Sequence, residues 1–157
     1  MRIGGRGGPR GTSVGEMATS KTAEHLAQVP LFSACSKKDL MLIAKAAEEV
    51  SVKAGKVIVE ENQPGHEFFL ILDGAATVRR NNRKLAALGP GQYFGELALL
   101  DRGPRTATVT ADTDMTLAVL GQREFVGVLE GVPGLAYKIL AIMARRLRDA
   151  DTKAVSH

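Results

Sequence analysis

The stretch Phe94-Gly95-Glu96-Leu97-Ala98-Leu99-Leu100-Asp101-Arg102-Gly103-Pro104-Arg105-Thr106-Ala107-Thr108-Val109 interrupts a series of short apolar segments with one helical turn and a Pro-containing polar loop. Gly95 lets the backbone turn tightly and approach a ligand with no Cβ in the way. Glu96 to Leu100 reads as a single helical turn, whose first N–H groups have no partner inside it. Those donors, from Gly95, Glu96, Leu97 and Ala98, favour a phosphate. Arg105 completes an anion site, because its planar fork suits two phosphate oxygens at once. Glu96 would repel a phosphate, so its carboxylate is better used to accept from a neutral hydroxyl such as that of a ribose. Together the groups ask for a ligand with one anion and one sugar hydroxyl. The reading without a ligand pairs Glu96 with Arg105 across the loop and treats Leu97, Leu99 and Leu100 as ordinary core.

At these residues the sequence resembles the cyclic-nucleotide-binding domain family, in its catabolite-activator-like sensor form. Phe94 to Val109 is similar to that family's phosphate-binding cassette. Pro30-Leu31-Phe32, Ala54-Gly55, Ile58 to Glu60, Gly65, Phe69 to Leu72, Gly74, Gly89-Pro90-Gly91 and Met143 to Leu147 extend the resemblance over nearly everything after the first twenty residues. It implies that Glu96 holds the ribose 2′-OH, that Arg105 holds the cyclic phosphate, and that Thr106 adds a hydroxyl at the phosphate or base. The implied ligand is cAMP, with cGMP as the alternative. In the bacterial activator branch a pair of hydroxyl side chains on the last helix reads adenine, whereas this sequence has Ala150 and Asp151 there. An aspartate can accept from guanine as well as adenine.

At 157 residues and 45% hydrophobic content, the chain is sized for one domain with a real core. No apolar run approaches the roughly 18 residues of a membrane span. Met1 to Thr19 lacks a secretory pattern, and Cys35, the single cysteine, cannot form an internal disulfide, so a cytoplasmic location is expected. Residues 1–19, with Arg2, Arg6 and Arg10 among many glycines, read as a disordered basic tail ahead of a domain over 20–157. The net charge of +4 is spread out, and Arg79, Arg80, Arg83 and Lys84 read as a solvated hairpin tip around Asn81-Asn82.

The pattern predicts a short helix over Lys21 to Gln28. A better one is N-capped by Ser36, with Leu40, Ile43, Ala44 and Ala47 at helical spacing and an end near Glu49. Strand candidates are Val57 to Val59, Phe68 to Leu72, Ala75 to Arg80, Lys84 to Leu88, Ala107 to Thr110 and Met115 to Leu120. Asp73-Gly74 is the stronger two-residue hairpin signal and Asn81-Asn82 the weaker. Gln122 to Glu130 reads as a helix broken at Gly131 and Pro133. A last helix then carries Leu135, Ile139, Ile142, Met143 and Leu147 on one stripe, with Lys138, Arg145, Arg148 and Asp149 on the other side. The fold class is mainly β with flanking helices. Taken with the resemblance, it is an eight-stranded β-roll or jelly roll with N-terminal helices and a C-terminal helix lid.

His25, His66 and His157 are scattered, and no metal-ligand spacing or Gly-x-Ser-x-Gly motif occurs, so neither an enzyme nor a catalytic cofactor or metal is expected. The transcription-factor branch of the family runs on from its last helix into a helix-turn-helix. This chain stops at His157, and DNA binding by the chain alone is not expected. The expected activity is that of a stand-alone nucleotide sensor, signalling by movement of its last helix to a protein partner in trans, with a homodimer through that helix as an option. The alternatives are a protein–protein interaction module with a non-binding pocket on the same fold, and the sensor fragment of a larger transcription regulator.

Overall fold

The run Phe68 to Leu72 has neither a polar residue nor an alternation, the pattern of a strand covered on both faces. A computed structural model of the chain, describing residues 12–155 and the side chains of 18–151, shows what covers it. In chain order the elements are α1 (Thr12–Leu26), a 3₁₀ turn (Pro30–Phe32), α2 (Lys37–Ala46), β1 (Glu48–Val52), β2 (Val57–Val59), β3 (Glu67–Asp73), β4 (Ala76–Arg80), β5 (Arg83–Leu88) and β6 (Tyr93–Phe94). A second 3₁₀ turn (Glu96–Leu99), β7 (Thr108–Ala111), β8 (Met115–Gly121), α3 (Gln122–Gly131) and α4 (Pro133–Val155) complete them.

The eight strands form two four-stranded antiparallel sheets, ordered β1-β8-β3-β6 and β2-β7-β4-β5. Successive residues of β3 point to opposite faces. Phe69 and Ile71 pack inside the roll with Val50, Leu117, Val109 and Ala111. Phe68 and Leu70 pack against the helices, with Leu31, Phe32, Ile43, Phe125 and Leu135. Phe32 sits edge-on to Phe68 with ring centroids 6.2 Å apart, and lies 5.9 Å from Phe125. The first sheet is therefore the middle layer, with helices on one side and the second sheet on the other.

Several local expectations change. The helix α1 starts at Thr12, inside the stretch expected to be a disordered tail. Ala23 and Leu26 are buried in the helical core, and extending a docked helix by further residues costs little. Arg2, Arg6, Arg10 and His157 lie outside the described residues. The helix α2 ends at Ala46 rather than near Glu49, because Glu48–Val52 pairs with β8 and buries Val50 and Val52. Asp73-Gly74 is a turn but not a hairpin: β3 and β4 lie in different sheets, so these residues carry the chain from one sheet to the other. Asn81 and Asn82, at φ 51° and 68°, make the actual two-residue hairpin, joining β4 to β5 with Arg80 opposite Arg83.

Ser36 caps α2 with a capping box: its Oγ accepts from the Asp39 N–H at 3.1 Å, and Asp39 Oδ2 accepts from the Ser36 N–H at 3.0 Å. Lys138, expected on the solvent side of α4, instead donates to the same Asp39 Oδ2 at 2.7 Å and ties α4 to α2. Nearby, burial and then the Asp39 carboxylate push the Cys35 thiol up to about 11, partly offset by Lys138, which leaves it protonated and unreactive at neutral pH. On α4, Leu135, Ile139 and Ile142 are buried as the stripe requires, but Leu147 is 66% exposed, as are Leu140 at 66% and Tyr137 at 74%. No single helix among the described residues is long and apolar enough to cross a membrane.

Candidate functional site

Gly95 takes the left-handed conformation, φ 83° and ψ 19°, and starts the 3₁₀ turn Glu96–Leu99. An added Cβ there would lie 2.6 Å from Arg105 Nη1 and 2.8 Å from the Glu67 carbonyl oxygen, so both the conformation and the space require glycine. Within the turn the Ala98 N–H donates to the Gly95 carbonyl at 3.0 Å, so Ala98, expected among the ligand donors, is already engaged. Glu96 and Leu97 occupy the first positions, whose N–H groups have no acceptor within the turn.

The loop that carries Arg105 is held by its backbone. Arg105 N–H donates to the Gln63 carbonyl and Asn62 N–H to the Arg105 carbonyl, each at 2.8 Å, and Pro64 bridges Pro104. The guanidinium then folds inward. Its Nη2 donates to the Glu67 carbonyl at 2.9 Å, its carbon lies 5.6 Å from the centroid of the Phe69 ring, and its arm crosses the bare Cα of Gly65. Burial works against its charge and holds its pKa below the ordinary guanidinium value, with Glu67 offsetting part of that. The cation is thus partly desolvated with a carbonyl, not a carboxylate, as its hydrogen-bond partner.

Glu96 and Arg105 do not pair with each other: no hydrogen bond or ion pair joins them among the described residues. Both instead line a cavity of about 240 Å³, together with Gly95, Leu97, Ala98 and Thr106, so all the residues singled out in the Phe94 to Val109 stretch converge on one space. Thr106 is exposed at its edge, and its carbonyl accepts from Arg80 Nε at 2.8 Å. Arg80, expected as part of a solvated tip, is therefore anchored beside the site. Ala150 and Asp151 lie exposed near the far end of α4 and do not line the cavity.

Four supporting residues were not singled out from the sequence as parts of the site: Phe69 beneath the guanidinium, the Glu67 carbonyl, Arg80 and Gln122. Gln122 Nε2 donates to the carbonyls of Ala98 at 3.1 Å and Asp101 at 3.2 Å. Each is remote in sequence from the groups it supports, so no local pattern announces it. Tyr93, just before the turn, has its phenol pKa raised by burial and then by Glu96, and lowered by Arg146 of α4. Arg146 of α4 therefore lies within Coulombic reach of Tyr93. Among the described residues no group of three His, Cys, Asp or Glu side chains is placed to hold a metal ion.

The profile of the cyclic nucleotide-binding domain family matches residues 49–131, more than half of the chain. Over 127 residues the chain is 32% identical to the cyclic AMP receptor protein of Thermus thermophilus, covering 78% of this chain and 59% of that one. Over 110 residues it is 36% identical to a cAMP-dependent protein kinase regulatory subunit of Hypocrea atroviridis, covering 70% of this chain and 24% of that one. The chain thus spans less than two thirds of either relative. Among solved structures, the N-terminal domain of a transcriptional regulator from Streptomyces coelicolor A3(2) superposes with a TM-score of 0.76 at 32% identity, covering 82% of this chain and 93% of that one. The roll, the glycine-led turn and the inward-folded arginine are joined here by a matching family profile, and the chain belongs to the cyclic nucleotide-binding domain family.

Proposed function

We propose that this domain binds cAMP in the cavity between Glu96 and Arg105 and signals its presence through α4 to a protein partner. The observation that carries the reading is Arg105: a half-buried guanidinium facing a glycine-lined cavity, with no carboxylate partner among the described residues. A cyclic phosphate there gains charge-assisted hydrogen bonds, each contributing about 1.5–3 kcal/mol. The Glu96 and Leu97 N–H groups at the start of the turn add further donors. The Glu96 carboxylate makes no hydrogen bond among the described residues, which leaves it to accept from the ribose 2′-OH.

Helix α4 supplies the output. It follows α3 through Val132 alone, at a bend of 116° between the two helices, and its Arg146 lies within Coulombic reach of Tyr93, just before the turn. A nucleotide that favours one setting of this bend must bind it more tightly than the other, by about 5.5 kcal/mol for a full reversal of a 1:99 population. The Thermus relative is a cyclic AMP receptor protein and the Hypocrea relative a regulatory subunit of a cAMP-dependent protein kinase, which supports adenine as the base. The second reading is cGMP, favoured by the Thr106 side chain at the cavity edge, where its hydroxyl can accept from the guanine 2-amino group.

Calorimetric titration with both nucleotides tests the ligand, and tenfold tighter cGMP binding reverses the choice of base. In Arg105→Glu the thermal stabilisation by cAMP is expected to vanish while the circular dichroism of the free protein is unchanged. An equal stabilisation in the variant overturns the pocket assignment.

A further inference from the structure

Gln122, the first residue of α3, joins three segments that are far apart in sequence. Its backbone N–H donates to the His66 carbonyl at 2.8 Å. Its side-chain Nε2 donates to the carbonyls of Ala98 and Asp101, and its Oε1 accepts from Arg102 Nε at 3.1 Å. Both amide hydrogens are used on the turn that lines the nucleotide cavity.

We propose that Gln122 is a positioning residue that holds this turn in its ligand-competent shape and couples its occupancy to α3 and α4. The inference rests on the nucleotide reading of the cavity. The carbonyls at the C-terminal end of so short a turn have no acceptor role inside it and need donors from elsewhere. Gln122 provides these donors and leaves the N-terminal donors facing the ligand. The orientation of the amide is fixed by its neighbours: flipped, it would set Oε1 against two carbonyl oxygens and its NH₂ against the Arg102 donor. A water could satisfy the same carbonyls, but it would not connect them to the first turn of a helix that packs on β8 and leads into α4. Beside the clip, a cavity of about 570 Å³ between the His66-Glu67 loop, Arg102 and the start of α3 leaves space for the turn and the helix to shift together.

The test uses the full chain and two variants: Gln122→Met keeps the shape and removes the donors, and Gln122→Glu keeps the size and faces the carbonyls with oxygen. Hydrogen exchange is followed in free and cAMP-loaded protein, and affinity by calorimetry. In both variants the Leu100 and Asp101 amides, which close the turn onto the Leu97 carbonyl, are expected to exchange faster without nucleotide. Affinity for cAMP is expected to fall roughly tenfold, and the nucleotide-induced change in exchange at Leu135 to Ile142 to disappear. Wild-type exchange at Leu100 and Asp101, or a surviving response in α4, overturns the proposal. If the wild-type protein takes up neither cAMP nor cGMP, the nucleotide reading fails. The holding role is then decided by the Leu100 and Asp101 amides alone: faster exchange in the variants supports it, and equal exchange overturns it.

Discussion

The side chain of Arg105 lies across the space that Gly65 leaves empty: a methyl group on Gly65 would run into its Nε, Cζ and Cδ atoms. Gly65 is not in the left-handed region, so alanine's backbone is allowed there and the flexible arginine can move away. Gly65→Ala is therefore expected to leave the thermal midpoint nearly unchanged while displacing the guanidinium from the Glu67 carbonyl. Affinity for cAMP should fall by about tenfold, roughly 1.4 kcal/mol, in a calorimetric titration. Unchanged affinity would mean that the inward position of Arg105 has no part in binding.

Asp39 serves the cap of α2 and the Lys138 ion pair with one oxygen, and both roles favour its ionised form. The hydrogen bond from Lys138, then that from the Ser36 N–H, hold its pKa below the usual 3.8. A carboxylate depressed in the folded state contributes stability that is present above its unfolded pKa and lost as pH falls through the folded one. The pair should therefore contribute fully at pH 6 and fade only below about pH 4. In Lys138→Met the difference between urea midpoints at pH 6 and pH 3 is expected to shrink relative to wild type. A difference as large as that of the wild type would show that Lys138 does not set the acid response of Asp39.

The hairpin between β4 and β5 depends on two consecutive asparagines at positive φ. Asn82→Val puts a β-branched residue into that region and is expected to cost about 1–2 kcal/mol. Asn82→Gly should cost nothing or stabilise slightly, because Asn-Gly suits this turn. Urea denaturation of the two variants separates the effects. A valine variant as stable as wild type would show that the turn is made by the strands' pairing alone.

The contrast between Asn81-Asn82 and Asp73-Gly74 shows where sequence reading stops. Both pairs mark turns, because a positive φ is a local demand that a local residue type answers. Which strand comes next in the sheet is not local. The chain crosses at Gly74 because Phe69 and Ile71 on one side and Ala76 on the other must face each other inside the roll. The same limit hid β1: Ala46, Ala47, Glu48 and Glu49 suit a helix, and only pairing with β8 makes Glu48–Val52 a strand. The two residues of β6 are too few to carry any pattern. Within the site the reverse holds. Gly95, Glu96 and Arg105 are close in sequence, and their convergence on one cavity is legible from it. Phe69 and Gln122 reach the site only through the sheet and the first turn of α3.

Helix α4 runs for 23 residues beyond a one-residue joint, and its last buried side chain among the described residues is Ile142. At 1.5 Å per residue the helix is about 34 Å long, so a rotation of about 5° at Val132 displaces its far end by about 3 Å. Mechanically this is the geometry of a lever with its pivot at Val132, against the helical core. Displacements too small to repack the core around Leu135 and Ile139 become, at the tip, as large as the width of an atom.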